Sequence, residues 1–406
     1  MHVLLIHQAF ASPEDAGGTR HYELARRFVD EGHHFSIVAS DLVYLSGKRF
    51  ASNEREQDFD GVKVRRAWTY PSLHRSFVWR VVSFLSFMMT SVIVALKTRN
   101  VDLVVGTSPP IFQACSAWVV SVVKWRPFLL EIRDLWPEFA IDMGVLKNPV
   151  LIWLSRWLER FLYARANHLL VNSPAYRDYL IGLGIPAAKI SFIANGVDPE
   201  MFRTARSKSG LREELGLADK YLVTYAGAMG MANNLEVVIE AASLLSDLPE
   251  IHFLMVGDGK ERLKLEDFSR RLNVTNVTFA GSRPKSAMPA ILAETDACLA
   301  VLLDIPMFRT TYPNKVFDYM AAARPVVLAI DGVIREVIEA ADGGIAVPPG
   351  NPQAIADAVR SLCLNRVRGE QMGRDGREYV VKFFDRNQQA KQFGELIHQV
   401  GMHKAA

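Results

Sequence analysis

Three residues in one short stretch could hold a phosphorylated ligand. They are Asn314, Lys315 and Asp318, within the run T-Y-P-N-K-V-F-D-Y-M from Thr311 to Met320. Asn314 and Asp318 are four apart, and Lys315 and Asp318 three apart, so on a helix all three share a face. Pro313 suits the first helical position, because its missing N–H would find no partner there anyway. The N–H groups of Asn314, Lys315 and Val316 then lie free at the positive end of the helix dipole, with the charge of Lys315 beside them. An anion at such a tip, with a carboxylate further along the same face, is an arrangement that holds a nucleoside diphosphate. An ordinary surface helix in which Lys315 and Asp318 simply pair fits the same residues.

A second group is Glu131-Ile132-Arg133-Asp134-Leu135-Trp136-Pro137-Glu138, at the end of the apolar run Pro127–Arg133. Charged groups and a Trp at a strand end suit a sugar or phosphate pocket, or a structural Arg–carboxylate cluster. A third is Gly17-Gly18 followed by Arg20 and His21, where a glycine pair lets backbone approach a ligand, or makes a tight turn. Asp58-Phe59-Asp60 has the form of a carboxylate metal clamp, but it sits in the polar run ASNEREQDFDG and reads as a solvated hairpin connection. No metal is expected.

The elements that carry these residues alternate. His2–His7 is an apolar strand, Tyr22, Leu24, Ala25 and Phe28 mark a helix face, and His34–Ser40 is the next strand, which makes a βαβ unit. It lacks G-x-G-x-x-G, which argues against a nicotinamide or flavin. Further strands fall at Val62–Ala67, Val101–Gly106, Pro127–Arg133, Asn167–Asn172 and Ile190–Ala194. A second series starts at Tyr221 and places Gly227, Gly257 and Gly281 at successive strand ends, which opens a crevice to ligands. Pro325 ends the Thr311 stretch, and PVVLAI follows as a buried strand. Two domains are expected: 1–200, joined by a returning helix from 384–406, and 201–383.

Composition narrows the class. The 406 residues are 50% apolar and carry a net charge of +3, too mild to call for a nucleic acid partner. Cys115, Cys298 and Cys363 are far apart and read as reduced thiols of a cytoplasmic protein. Met1-His2 leads straight into a strand, so no signal peptide is expected. Val78–Leu96 is the most apolar stretch and is barely long enough to span a bilayer. With Arg75, Lys97 and Arg99 beside it, 75–99 reads as a segment lying on a membrane surface; burial as a core helix and a true span are the other readings.

The Thr311–Val327 stretch resembles the C-terminal signature of the retaining glycosyltransferases of family 4, usually P-x-K-x-x-E-Y-M-A-x-G-x-P-V. Asn195-Gly196-Val197-Asp198 and Gly17-Gly18 support the resemblance, which runs along nearly the whole chain. It implies an α/β fold of two Rossmann-like domains facing a central cleft, the GT-B architecture. It implies a nucleotide-sugar donor, with a UDP-sugar as the expected one, and retention of anomeric configuration without a cofactor. The run E-x-R-D-L-W-P is similar to a subgroup that builds bacterial surface polysaccharides such as O-antigen. A hexosyl or N-acetylhexosaminyl group would pass to a polyprenyl-diphosphate-linked sugar at the cytoplasmic face of the inner membrane, with the protein attached peripherally.

By the same resemblance Asp318 holds the ribose, and Gly17, Gly18, Gly227, Asn314, Lys315 and Val316 meet the donor. Arg20 and His21 meet the acceptor, and Arg133, Asp134 and Lys315 serve catalysis. The chain departs from the pattern at six places. Asp318 replaces Glu, Thr310 stands where a second Glu is usual, and Ala323 replaces a Gly. Arg133 replaces a His, and Ala228 and Asn233 stand where an Arg and a Lys grip the diphosphate. Arg283, Arg309 and Lys315 are the expected sources of the missing charge. A nucleotide-sugar 2-epimerase and a non-catalytic nucleotide-binding subunit are the alternatives.

Overall fold

The computed structural model describes residues 1–43, 49–50, 56–71, 77–203 and 210–402. The chain forms two compact units. One comprises Met1–Ser12, Gly18–Ala194 and Asn387–Ala406; the other comprises Pro13–Gly17 and Asn195–Arg386. Each is built on its own sheet.

In the first unit the strands are β1 (His2–Ile6), β2 (His34–Ser40), β3 (Glu56–Phe59), β4 (Val62–Ala67), β5 (Leu103–Ser108), β6 (Phe128–Ile132), β7 (His168–Val171) and β8 (Ile190–Phe192). They lie in the order β3-β4-β2-β1-β5-β6-β7-β8, all parallel except β3 against β4. Near-continuous apolar runs such as VLLI in β1 suit strands covered on both faces. The helix Arg386–Met402 covers part of one face, and its Phe393, Ile397 and Val400 share a core with Leu24 and Phe28 of α1 (Arg20–Asp30).

Asp58 and Asp60 close the β3–β4 hairpin. Asp58 Oδ1 accepts the Gly61 N–H at 2.7 Å, Asp60 is left-handed at φ 51°, and its carboxylate accepts the Tyr22 hydroxyl. The three cysteines are free, and two of them are buried.

The apolar stretch forms α2 (Phe77–Leu96), packed beside α3 (Ile111–Lys124). Burial as a core helix is overturned, because only 22% of the span is buried. Ser83, Phe87, Ser91 and Ala95, four apart in sequence, face inward, while Val78, Met89 and Ile93 stand exposed. The hydroxyls are spent on protein: Thr90 Oγ1 donates to the Trp68 carbonyl at 2.7 Å, and Ser91 meets Ser116 at 3.1 Å. Lys124 is also spent, its Nζ capping the carbonyls of Leu96 and Thr98 at 3.1 and 2.6 Å. Arg75 lies outside the described residues.

In the second unit the strands are β9 (Tyr221–Ala226), β10 (Ile251–Val256), β11 (Val277–Gly281), β12 (Ala297–Val301), β13 (Val326–Ala329) and β14 (Gly344–Ala346). They form a parallel sheet in the order β11-β10-β9-β12-β13-β14. The expected α/β class with two Rossmann-like domains is what the chain forms. At the ends of β9 and β10 backbone packs on backbone: a Cβ on Gly257, at φ +143°, would lie 1.9 Å from the Gly227 carbonyl oxygen. Only glycine permits that approach.

Candidate active site

The site in the second unit is built on the helix Asn314–Ala321. Pro313 caps this helix from an extended conformation, φ −66° and ψ 122°, one position earlier than expected. The Val316 N–H is consequently not free, since it bonds to the Pro313 carbonyl at 3.1 Å. Val316 itself is fully buried, so its side chain holds the helix down. Asn314 lies at the tip, and its buried Oδ1 has no hydrogen-bond partner among the described residues.

Lys315 turns toward the end of β9. Its Nζ donates to the Tyr225 hydroxyl at 2.8 Å and to Asn233 Oδ1 at 3.1 Å, and lies 4.1 Å from the centre of the Tyr225 ring. The Tyr225 hydroxyl donates in turn to the Ala228 carbonyl at 2.6 Å. A Cβ on Gly227 would stand 3.0 Å from Nζ, so the glycine leaves room for the ammonium. All these partners are neutral, and burial lowers the Lys315 pKa from 10.5 to about 7. Where the related pattern has a cation, this chain has Asn233, an acceptor bonded to the Lys315 ammonium.

Asp318 shares the helix face but does not pair with Lys315. Its Oδ2 lies 2.5 Å from Nζ of Lys285, which follows β11. Both side chains are largely enclosed, at 12% and 17% exposure. The Lys285 turn is braced by Pro13–Gly17, with Lys285 N donating to the Asp15 carbonyl at 3.1 Å and Ser286 N to the Pro13 carbonyl at 3.0 Å. Tyr319 ties the helix to β9, accepting the Ala226 N–H at 2.8 Å and donating to the Ala226 carbonyl at 3.2 Å.

Two expected cations do not join this cluster. Arg309 pairs with Asp304 at 3.1 Å, and Arg283 lies 4.0 Å from Glu214. The cation beside Asp318 is Lys285 instead. Sequence reasoning passed over Lys285 and Tyr225, which lie after β11 and in β9 with no motif of their own, and over Tyr319, which lies inside the Thr311 stretch but reads there only as an apolar position of the helix.

In the first unit, Arg20 and His21 are turned inward, and their expected role at an acceptor is corrected. Arg20 is 2% exposed and donates to Glu131 Oε1 at 3.0 Å, to the Ala194 carbonyl at 2.6 Å and to the Ile193 carbonyl at 2.9 Å. It thereby ties α1 to the ends of β6 and β8. His21 Nε2 meets Glu131 Oε2 at 2.6 Å. Burial pushes the Glu131 carboxyl up, but His21 and Arg20 outweigh it and hold the group well below the ordinary range. A buried carboxylate needs such partners. The unit boundary runs between Gly17 and Gly18; Gly17, at φ 154°, groups with the second unit and Gly18 with the first.

His7 completes this cluster, and it too was missed, because a histidine ending an apolar strand reads as core. Its ring packs 4.2 Å from His21, Nδ1 lies 2.9 Å from Thr107 Oγ1, and Arg133 Nη1 lies 3.3 Å from Nε2. Burial, with the charges of His21 and Arg133, holds His7 well below its usual pKa. The tautomer with its proton on Nδ1 therefore fits, Nε2 accepting from Arg133. Arg133 keeps a buried Nε with no partner among the described residues. Asp134 is half-buried, with the Tyr176 hydroxyl at 3.5 Å. Burial lifts its pKa to about 6 against the pull of Arg133. Arg133 and Asp134 thus end as partly satisfied groups, unlike Glu131 next to them.

Residues 16–196 match the glycosyl transferase 4-like domain, and residues 220–365 match glycosyl transferases group 1. One match falls in each half, and together they account for most of the chain. The protein is a glycosyltransferase of the GT-B architecture. It is similar over 96% of its length to a protein of Escherichia coli named as a colanic acid biosynthesis glycosyl transferase, WcaI, at 23% identity and covering 98% of that chain. Among solved structures, sucrose-phosphate synthase from Thermosynechococcus elongatus matches with TM-score 0.78 at 18% identity, over 98% of both chains. HepE of Anabaena, in complex with UDP-glucose, matches with TM-score 0.72 at 17% identity, over 98% of this chain and 100% of that one.

Proposed function

We propose that this chain moves a sugar from a UDP-sugar to a lipid-linked sugar, with retention, in the synthesis of a bacterial surface polysaccharide. The observation that carries the donor half is the Lys315 ammonium, held at a helix tip by neutral partners only. Such a group lacks a counter-ion, and a diphosphate supplies one. The partnerless Asn314 Oδ1 beside it can accept a donor hydroxyl. Asp318 takes the ribose when Lys285 shifts to share it. That HepE was solved with UDP-glucose favours a UDP-sugar.

In this mechanism the bond from the anomeric carbon to the diphosphate oxygen breaks as the acceptor oxygen attacks from the same face. The acceptor's proton passes to the leaving phosphate oxygen. Lys315 and the helix dipole stabilise the charge that develops there, a contribution that grows in a site sheltered from water. Arg133 and Asp134 serve the transferred sugar, and the hexosyl or N-acetylhexosaminyl group is the expected cargo.

The polysaccharide role draws on the likeness to WcaI. The lipid acceptor and a peripheral position at the cytoplasmic face of the inner membrane draw on α2. Its apolar side faces outward, and Arg80, Lys97 and Arg99 are exposed along it. The test is radiolabelled transfer from UDP-glucose, UDP-galactose and their N-acetylamino counterparts to a polyprenyl-diphosphate-linked sugar. Labelled lipid product with retained configuration is expected. Epimerised donor in the absence of acceptor, or nucleotide binding without turnover by the isolated chain, would overturn the proposal.

A further inference from the structure

The helix Pro149–Arg165, PVLIWLSRWLERFLYAR, presents two ladders on its outer surface. Trp153 and Trp157 are four residues apart, and so are Arg156 and Arg160; each arginine follows its tryptophan by three, so the ladders run side by side. Trp153 is 65% exposed and Trp157 54%. With Phe161 these four side chains line one open surface pocket.

The pocket is built rather than accidental. Trp157 stacks on Phe161 at 5.6 Å and 19°, and Phe161 meets Trp118 of α3 edge-on at 4.9 Å. Glu138 fixes the Arg156 guanidinium through two bonds, at 2.7 and 2.9 Å. No ion pair engages Arg160 among the described residues. Glu159, the one acid on the helix, is turned inward and accepts the Tyr163 hydroxyl at 2.8 Å. Burial raises its pKa to about 7. The outer face therefore carries guanidinium charge and aromatic rings without opposing charge from its own helix.

From this geometry we infer that the Trp153–Phe161 face seats the phosphate headgroups of anionic membrane lipids. The Arg160 fork matches phosphate oxygens, and tryptophan settles where one edge is wet and the other apolar. A soluble acidic protein would match the charge but leave the rings unexplained. At the end of α3, which packs beside this helix, Val122 and Val123, with Trp125 just past the last turn, stand 55%, 55% and 83% exposed. The inference rests on the membrane position proposed above, but it assigns the headgroup contact to a different helix from α2.

The two can be tested apart by flotation of the full chain with vesicles of phosphatidylcholine, with and without phosphatidylglycerol. One variant carries Trp153→Ser with Arg160→Ser, the other Met89→Ser with Ile93→Ser in α2. All four residues are exposed, and thermal melts confirm that both variants fold. On anionic vesicles the first variant should bind roughly tenfold more weakly than the unaltered chain. Arg160→Lys alone should weaken binding less than Arg160→Ser, because the charge stays while the fork is lost. Unchanged binding by the first variant, with loss in the α2 variant, would overturn this inference and leave the membrane position standing. No binding by the unaltered chain to either vesicle would overturn both. A concentration-dependent dimer, abolished by the first variant in the absence of vesicles, would assign the face to a second copy instead.

Discussion

At the scale of residues, the site is governed by how each charge is partnered. Asp318 already has a cation at 2.5 Å, so its removal has two effects: the ribose loses an acceptor, and Lys285 loses its partner. Asp318→Ala should weaken UDP binding by about 1.5–3 kcal/mol, the range for a hydrogen bond to a charged group, and nearly abolish transfer. Calorimetry that finds unchanged affinity would remove Asp318 from the site.

Lys315 yields a dependence on pH. Its native pKa of about 7 lies below the ordinary 10.5, so between those values the unfolded chain binds more protons and folding stability rises with pH. Donor binding runs the other way. The pyrophosphate of UDP-glucose keeps its charge, and only the protonated amine attracts it. Affinity should fall as pH rises through about 7, with a proton taken up on binding at higher pH. Titrations in two buffers of different ionisation heat measure that uptake. Lys315→Arg should remove it, because the guanidinium stays charged.

At the scale of elements, the Asn314–Ala321 helix ends in a strained turn. Ala323 is left-handed at φ 54°. The Arg324 N–H reaches the Tyr319 carbonyl at 3.1 Å, and the Ala323 N–H reaches the Met320 carbonyl at 2.9 Å. This is a Schellman closure, which ordinarily places glycine at that position. Ala323→Gly should stabilise the chain by about 1 kcal/mol, read as a higher urea midpoint. A lower midpoint would show that the loss of the methyl costs more than the strain it relieves. Gly257→Ala should do the reverse and damage the β9–β10 end beside Lys315, because its Cβ has no space. Loss of UDP affinity larger than any loss of melting temperature is the expected result.

At the scale of the molecule, the first unit wears an apolar helical layer on its outside. Exchanging Lys97 and Arg99 for Glu should lower transfer to a lipid acceptor while leaving UDP affinity intact, since each cation gains about 1 kcal/mol near an anionic surface. Equal rates on a water-soluble acceptor, together with no vesicle binding at low salt, would count against the lipid acceptor. Transfer should also survive a chelator. Asp58 and Asp60 are committed to a hairpin, and fixed cations can carry the leaving-group charge. Activity lost in chelator and restored by magnesium or manganese would contradict this.

Much of this protein follows from local pattern. The apolar runs of β1, β9 and β13, the glycines at strand ends and the P-N-K-V-F-D stretch define two Rossmann-like series and the helix that carries Asn314, Lys315 and Asp318, because strand burial and helix faces repeat at short range. The strain at Ala323 was legible for the same reason: a residue that ends a helix before Pro325 adopts a conformation set by its neighbours. The partners of the charged groups depended on the tertiary structure. Nothing local distinguishes Arg20, locked to Glu131 and two carbonyls, from Arg133, which keeps an unsatisfied nitrogen. Lys285 meets Asp318 across thirty-three positions, and Lys315 meets Tyr225 across ninety. Hydrogen bonds and burial are decided by which strand ends and helix tips meet in space, and that meeting is fixed by sheet order, which a linear pattern does not encode. Which residues of α2 point outward was hidden for a related reason. Hydropathy counts apolar residues, whereas the fold decides which side of the helix they occupy, and here it turned Ser83 and Ser91 inward.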